Sequence, residues 1–375
     1  MNKVYLVYGN HGRSPGQLED YHTYLNQALA PQGLQVLYTE DPVAGEFNIL
    51  IEFFDLEFVH KVRKASKVSG TRMILIATEF LTGPTFNDFS TMLSQTLLRR
   101  SNLPKWVRSI GHAVGPILMP RFIRTMALNY LPDNYIKFRA EYRRHFGVAR
   151  QSTYEMNQYW QDRYEFFCDV VPLCEQIWCV TPHQMPAYLQ QFEGSNINLM
   201  PLVSWTEACS NSDQGKLEKD IDFLFTGSIT PYRESVLKEL KLLGYKVMEG
   251  PPTWPAYMRD HYVARSKVCL QIRQNPSWKY PSVMRYHHLL NSGAVIVADK
   301  GLETCMQETF LITTPPEEFV ETCVRTLKNT DFLAQGRKAG ADYYKASAQD
   351  RLEFARLLNP GGKKMQPARE QALNH

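Results

Sequence analysis

Short aliphatic runs recur through the first quarter of the chain, at 4–8, 34–39, 47–53 and 73–78, without the polar alternation of a half-exposed strand. Runs of this length suit strands covered on both faces, and the helical or polar stretches between them predict a parallel sheet. The pattern returns at 176–181 and 197–201, then pauses over a polar stretch containing Asn211-Ser212-Asp213-Gln214-Gly215. Such a pause reads as a linker between domains. A second series follows, with strands expected at 222–226, 245–248, 268–272 and 294–298 and helices at 232–243, 256–266 and 283–291. In the first of these helices Val236, Leu237, Leu240 and Leu243 share a face, and Thr230-Pro231 supplies a cap followed by a first-turn proline. The fold class expected is α/β, with two Rossmann-like domains facing a cleft. Their bounds are 1–205 and 220–345, joined by a linker at 206–219 and followed by a helix and flexible tail at 346–375.

Residues 90–150 break this rhythm and read as a mainly helical, basic, amphipathic insertion in the first domain. Between Arg99 and Arg150 eleven basic residues stand against Asp133 and Glu141, so the segment carries +9 in a chain whose total is +4, and the remainder is −5. Trp106, Ile110, Ile117, Leu118, Phe122 and Ile123 are interleaved with those charges. That mixture suits an anionic membrane face. It equally suits an ordinary packed insertion with solvated arginines. Nucleic acid is a poorer third choice, because the whole chain is close to neutral.

The 375 residues, 44% of them hydrophobic, are enough for two cores without covalent staples. No run approaches the apolar length of a membrane span, and the first residues read as a strand and loop rather than a signal peptide. Seven cysteines without a Cys-x-x-Cys pair read as buried free thiols. A cytoplasmic address is expected, peripheral at the inner membrane face if residues 99–150 bind there.

In open parallel sheets ligands bind beyond the carboxyl ends of the strands, so the chemistry is sought in the loops that follow the aliphatic runs. Phe225-Thr226-Gly227-Ser228-Ile229-Thr230-Pro231-Tyr232-Arg233 joins a strand to a helix. Gly227 allows close approach, Ser228 and Thr230 offer hydroxyls, and the helix start presents free N–H groups to an anion. It is also readable as a simple turn capped by Thr230. The loop at 275–282 then leads into Arg285, His287 and His288, where Lys279 and Arg285 can neutralise phosphate. The adjacent histidines point in different helical directions and lack a third ligand, so no metal site is expected.

These residues carry a family resemblance. The stretch from Asp222 to Val247 followed by Ser266 to Asp299 resembles the donor-binding half of GT-B glycosyltransferases, nearest to the spore-maturation-protein type with its Arg-x-x-Glu-x4-Gly pattern. The resemblance implies two Rossmann-like domains, a nucleotide-sugar in the cleft as substrate, and neither an obligatory metal nor another cofactor. Arg285 and Gly293 match the pattern, whereas His288 replaces its glutamate. Retaining relatives often carry Glu-x7-Glu here, and this chain has Tyr280 and His288 at those positions. An imidazole accepts one hydrogen bond from a ribose hydroxyl, less strongly than a carboxylate would. The implied donor-binding set is Gly227, Ser228, Thr230, Arg233, Lys279, Arg285, His288 and Gly293.

The first domain should then hold the acceptor. His11, directly after the first run, and Glu79, after the fourth, are the candidate bases for an acceptor hydroxyl. Tyr8-Gly9-Asn10-His11-Gly12 lacks dinucleotide-fingerprint spacing, and no nucleophile elbow, Walker loop or zincin motif occurs. Asp220-Ile221-Asp222 precedes its strand, which is the wrong end of the sheet for a metal-binding Asp-x-Asp. The function expected is transfer of a sugar from a nucleotide-sugar to a hydroxyl in cell-surface glycan or glycolipid synthesis. A non-catalytic glycan- or partner-binding protein, and a nucleic-acid-modifying transferase, are the alternatives.

Overall fold

The computed structural model describes residues 2–8, 18–51, 54–81, 86, 153–206, 217–252, 254–274, 276, 278–329 and 331–357. His11 and the basic segment 99–150 lie outside the described residues, as do most of the linker and the tail beyond 357.

The first domain is a six-stranded sheet built from β1 (Asn2–Val7), β2 (Leu34–Thr39), β3 (Phe47–Ile51), β4 (Arg72–Ala77), β5 (Gln176–Cys179) and β6 (Ile197–Leu199). The order is β2-β1-β3-β4-β5-β6 and every neighbouring pair is parallel. The helices α1 (Glu19–Leu29), α2 (Leu56–Ser66), α3 (Thr153–Val170) and α4 (Met185–Gln191) join and cover these strands. Residues 74–77 of β4 are all essentially inaccessible to water, as expected of a strand covered on both faces. One face packs Leu50, Leu75 and Ile177 with Phe58 and Val62 of α2 and Phe167 of α3. The other packs Leu6, Ile49 and Ile76 with Tyr24 and Leu25 of α1.

The second domain repeats the plan with β7 (Ile221–Thr226), β8 (Val247–Gly250), β9 (Ser266–Gln271), β10 (Ile296–Asp299) and β11 (Ile312–Thr314) in the order β11-β10-β9-β7-β8, again all parallel. Its helices are α5 (Pro231–Leu242), α6 (Ala256–Arg265), α7 (Val283–Asn291), α8 (Phe319–Asn329) and α9 (Phe332–Ala346). Thr230 caps α5 by accepting from the Arg233 N–H, with Pro231 at the first turn, as the sequence predicts. Strand β8 starts two residues later than expected. The chain leaves α5 through Gly244 at φ +87°, and the Tyr245 N–H is still bonded to Leu240 O, so extension begins only afterwards. In both sheets the strand order reverses beside the first strand of the domain, between β1 and β3 and between β7 and β9. At such points the outgoing loops diverge and leave a crevice.

A last helix, α10 (Ala348–Leu357), crosses back to the first domain. Phe354 is fully buried there against Trp178 and Tyr24. Ser347 and Arg351 hold the backbone of Ser204, the former donating to nothing further than Tyr343 O and accepting from Ser204 N, the latter donating to Ser204 O at 2.7 Å. The helix expected after 345 thus contributes Phe354 to the core of the first domain.

Candidate functional site

The carboxyl ends of the two sheets face each other, and two of the places where their loops meet across the cleft frame the site. At one, the Phe80 ring after β4 stacks on Tyr280 after β9, with centroids 4.6 Å apart, while Trp278 meets Phe80 edge-on at 5.6 Å. At the other, the first turn of α1 meets the first turn of α6. Glu19 accepts from the Ala256 N–H, and Asp20 makes a two-pronged pair with Arg259 at 2.6 and 2.7 Å.

Between these contacts lies the loop after β7. Gly227 has φ +138°, and a Cβ there would lie 2.9 Å from one Arg285 guanidinium nitrogen and 3.1 Å from the other. Glycine therefore serves both the turn and the close approach of Arg285. The guanidinium is in this way laid across the start of the β7–α5 loop, from a helix that begins after β9. It is half-buried, and that burial lowers its pKa while the nearby Asp20 charge opposes the effect.

Ser228 is exposed at the same loop. The Thr230 hydroxyl, besides capping α5, donates to Gln274 O at 2.8 Å and ties the two loops together. Arg233 plays a different part from the one its charge suggests. It is buried, its Nε donates to Ile272 O at 2.8 Å and its Nη1 to Ser228 O at 2.8 Å, so it clamps the loop backbones from below. Burial, with the nearby Arg285 charge, brings its pKa down to about 9, which still leaves it charged at neutral pH. Lys279 is exposed at the mouth.

His288 lies between carboxylates of both domains, its Nε2 3.3 Å from Asp260 Oδ1 and its Nδ1 3.8 Å from Asp20 Oδ1. Burial works to raise the Asp20 pKa, but the His288 and Arg259 charges and the Arg259 hydrogen bonds overcome it and hold the carboxyl below its usual value. Asp260 moves the other way, raised by burial against the pull of His288.

Gly293 is not with the others. It stands at the far end of α7 at φ +61°, and its carbonyl oxygen would lie 1.9 Å from a Cβ on Gly336 of α9. Its place is a close helix crossing, about 12 Å along the helix axis from Arg285. The Glu79 carboxylate accepts at 2.9 Å from the buried Arg163, and its own carbonyl accepts from Tyr188. It is thus the counter-charge of a buried guanidinium. Asp222 accepts from the Lys246 N–H and from Lys267, while Asp220 pairs with Arg265 and Lys246, all at the amino end of the sheet.

Residues that sequence reasoning passed over do much of the positioning. Asp299 at the end of β10 is buried and accepts from the Arg273 N–H at 2.9 Å and from the Tyr232 hydroxyl at 3.1 Å, and the Arg273 Nε lies 3.3 Å from its second oxygen. Burial raises the Asp299 pKa and the Arg273 charge opposes it. Arg273 then donates to Pro276 O and Trp278 O, both at 2.8 Å, which shapes the loop leading to Tyr280. The only sequence signal was a charged residue ending an apolar run, at Asp299 as at Glu79. Asp20, Arg259 and Asp260 gave none, since single charges on exposed helix faces are common.

Among the described residues no group of three or more His, Cys, Asp or Glu side chains converges as a metal site would, and no helix is long and apolar enough to cross a membrane. The six cysteines described are free, and burial pushes the Cys269 and Cys305 thiols up to about 12.

Two doubly wound parallel sheets with their carboxyl ends across a cleft form the GT-B arrangement that the sequence resemblance implies. No protein-family profile and no curated protein matches the chain in sequence. Among solved structures, a UDP-forming α,α-trehalose-phosphate synthase from Burkholderia xenovorans is similar over 96% of this chain and 98% of its own, at 7% identity and a TM-score of 0.46. A DNA-modifying β-glucosyltransferase, solved with and without uridine diphosphoglucose, is similar over 96% and 99%, at 11% identity and 0.46. The pneumococcal O-GlcNAc transferase GtfA, bound to UDP and GlcNAc, covers 83% and 57%, at 8% identity and 0.42.

Proposed function

We infer that the protein is a GT-B glycosyltransferase that holds a nucleotide-sugar in its second domain and passes the sugar to a hydroxyl acceptor. The observation that carries this reading is the guanidinium of Arg285 lying against Gly227, where the β7 and β9 loops part. A cation beside a backbone with no side chain, next to the start of α5, suits a diphosphate better than a neutral ligand.

In the reaction the bond from the anomeric carbon to the diphosphate oxygen breaks, the acceptor oxygen takes its place, and the hydroxyl proton leaves to a base. Arg285, the N–H groups at the start of α5 and Lys279 at the mouth neutralise the charge that grows on the leaving diphosphate. Arg233 and Thr230 hold the loops on which this depends. His288 is the residue offered to the ribose. The base is assigned to His11, with Glu79 as the second candidate, although the pairing of Glu79 with Arg163 gives that carboxylate a structural task already. With neutralisation assigned to side chains, activity is expected to persist in EDTA.

The acceptor side of this reading, a glycan or lipid-linked hydroxyl brought by residues 99–150 to an anionic membrane face, rests on sequence. Co-sedimentation with anionic but not neutral vesicles supports it, and equal pelleting with both discards it.

A thermal-shift screen with nucleoside diphosphates and nucleotide-sugars tests the donor site, since a ligand of the folded state raises the melting temperature once its concentration passes Kd. No shift with any of them overturns the reading. One observation favours a non-catalytic binding protein instead: Tyr280 stands where relatives carry a carboxylate, and its ring is committed to Phe80. Nucleotide binding without turnover would select that alternative.

A further inference from the structure

Helices α1 and α6 meet across the cleft through side chains of their first turns. Helix α6 opens at the carboxyl end of β8 with Pro255 before it and no side-chain cap of its own. Its first N–H is satisfied by Glu19, a residue more than 200 positions away in the other domain. One turn further, Arg259 takes the next carboxylate in sequence, Asp20, through both guanidinium prongs. His288 approaches the same Asp20 oxygen at 3.8 Å, and the Asp20 charge is felt at Arg285. A helix start, two guanidinium groups and an imidazole thus converge beside the Gly227 loop, and two adjacent carboxylates of the first domain sit among them.

We propose that Glu19 and Asp20 are an intramolecular anion that occupies the cationic side of the donor site, so that a nucleoside diphosphate must compete with them and, in binding, release the α1–α6 contact. This rests on the donor-site reading above and adds to it a regulation of that site. Adjacent carboxylates offer two negative groups a few ångströms apart, as a diphosphate does, and a helix start with an Arg fork binds either. Asp260 limits the arrangement from the other side, since its carboxylate partners His288 and stays with the second domain. The donor therefore meets a site already neutralised, and its apparent affinity is reduced by the fraction of molecules in which Asp20 holds Arg259.

The experiment is calorimetric titration of UDP, GDP, CDP, TDP and ADP into the full chain and into Asp20→Asn, Glu19→Gln and Glu175→Gln. The last removes a carboxylate paired with Arg72 at the amino end of the first sheet, and so controls for net charge. Asp20→Asn is expected to bind its preferred nucleotide at least about fivefold tighter than the parent, Glu19→Gln tighter in the same direction, and Glu175→Gln unchanged. If Asp20→Asn fails to fold, Glu19→Gln, which leaves the Asp20–Arg259 pair in place, decides the matter. Equal or weaker binding in the folded variants, with the parent binding nucleotide, overturns the competition and leaves the donor site standing. Binding to neither parent nor variants overturns the donor site and this proposal with it.

Discussion

At the scale of single residues, the site depends on what Gly227 permits. Because it has no side chain, the Arg285 guanidinium lies over the loop start instead of projecting from it. Arg285→Ala is expected to leave the fold intact, since among the described residues no carbonyl holds the group, and to weaken nucleotide binding by about 1.5 to 3 kcal/mol. Unaltered affinity on titration would remove Arg285 from the site.

His287, its neighbour in sequence, has the opposite character. It is buried, and because the Tyr343 hydroxyl donates its proton to Leu202 O, it accepts one from His287 Nδ1. Asn291 donates to the other ring nitrogen at 2.9 Å. The ring is neutral, and burial, with the His288 charge, brings its pKa down to about 3 from 6.5. The unfolded chain takes up that proton first, so the contribution of His287 is fully present above about pH 6.5 and is lost as pH falls towards 3. Stability should fall over this window with a slope of up to about 1.4 kcal/mol per pH unit from this group. Urea titrations from pH 4 to 7 check it, because the slope should lessen in His287→Gln.

At the scale of elements, the placement of α7 matters more than its composition. Its start carries Arg285 and its end, at Gly293, touches α9 so closely that the backbones of Gly293 and Gly336 are in contact. Gly336→Ala must push the helices apart, because the atoms in the way are backbone and not the tip of a flexible chain. A loss of about 3 kcal/mol is expected, measured by chemical denaturation, with weakened nucleotide binding as α7 shifts. Wild-type stability would show that the crossing yields freely. The sequence motif pointed at Gly293 as part of the donor site. In the structure its spacing from Arg285 reflects the length of the helix it terminates.

At the scale of the whole molecule, the domains are joined by more than the linker. The strand of chain after β6 is gripped by the second domain, with Leu202 O accepting from Gln307 at 2.8 Å and from Tyr343. Helix α10 then returns to the first domain and inserts Phe354 beside Trp178. Phe354→Ala should cost about 3 to 5 kcal/mol and expose Trp178, which a urea titration followed by tryptophan fluorescence will register. A loss below about 1 kcal/mol would make the returning helix an ornament of the fold and not a strap.

The apolar runs determined by themselves that there would be two parallel sheets. A strand buried on both faces can be built from nothing else, and ten of the eleven strands fall on or beside runs that stand out in the chain. The loop at 226–233 and its Thr-Pro helix start were equally legible, because capping is local chemistry. Strand β11 was not, since Ile312–Thr314 is only three residues long and two of them are threonines. Nor was the destination of α10, which has the composition of any surface helix until Phe354 finds a core. Arg233 and Arg285 look alike in sequence, and only the tertiary structure made one a buried clamp on carbonyls and the other a free fork over Gly227. The same holds for Glu19 and Asp20, whose partners are more than 200 residues distant. Charge pairing depends on position in space, whereas hydrophobic periodicity is written along the chain, and the site is made of the former on a scaffold made of the latter.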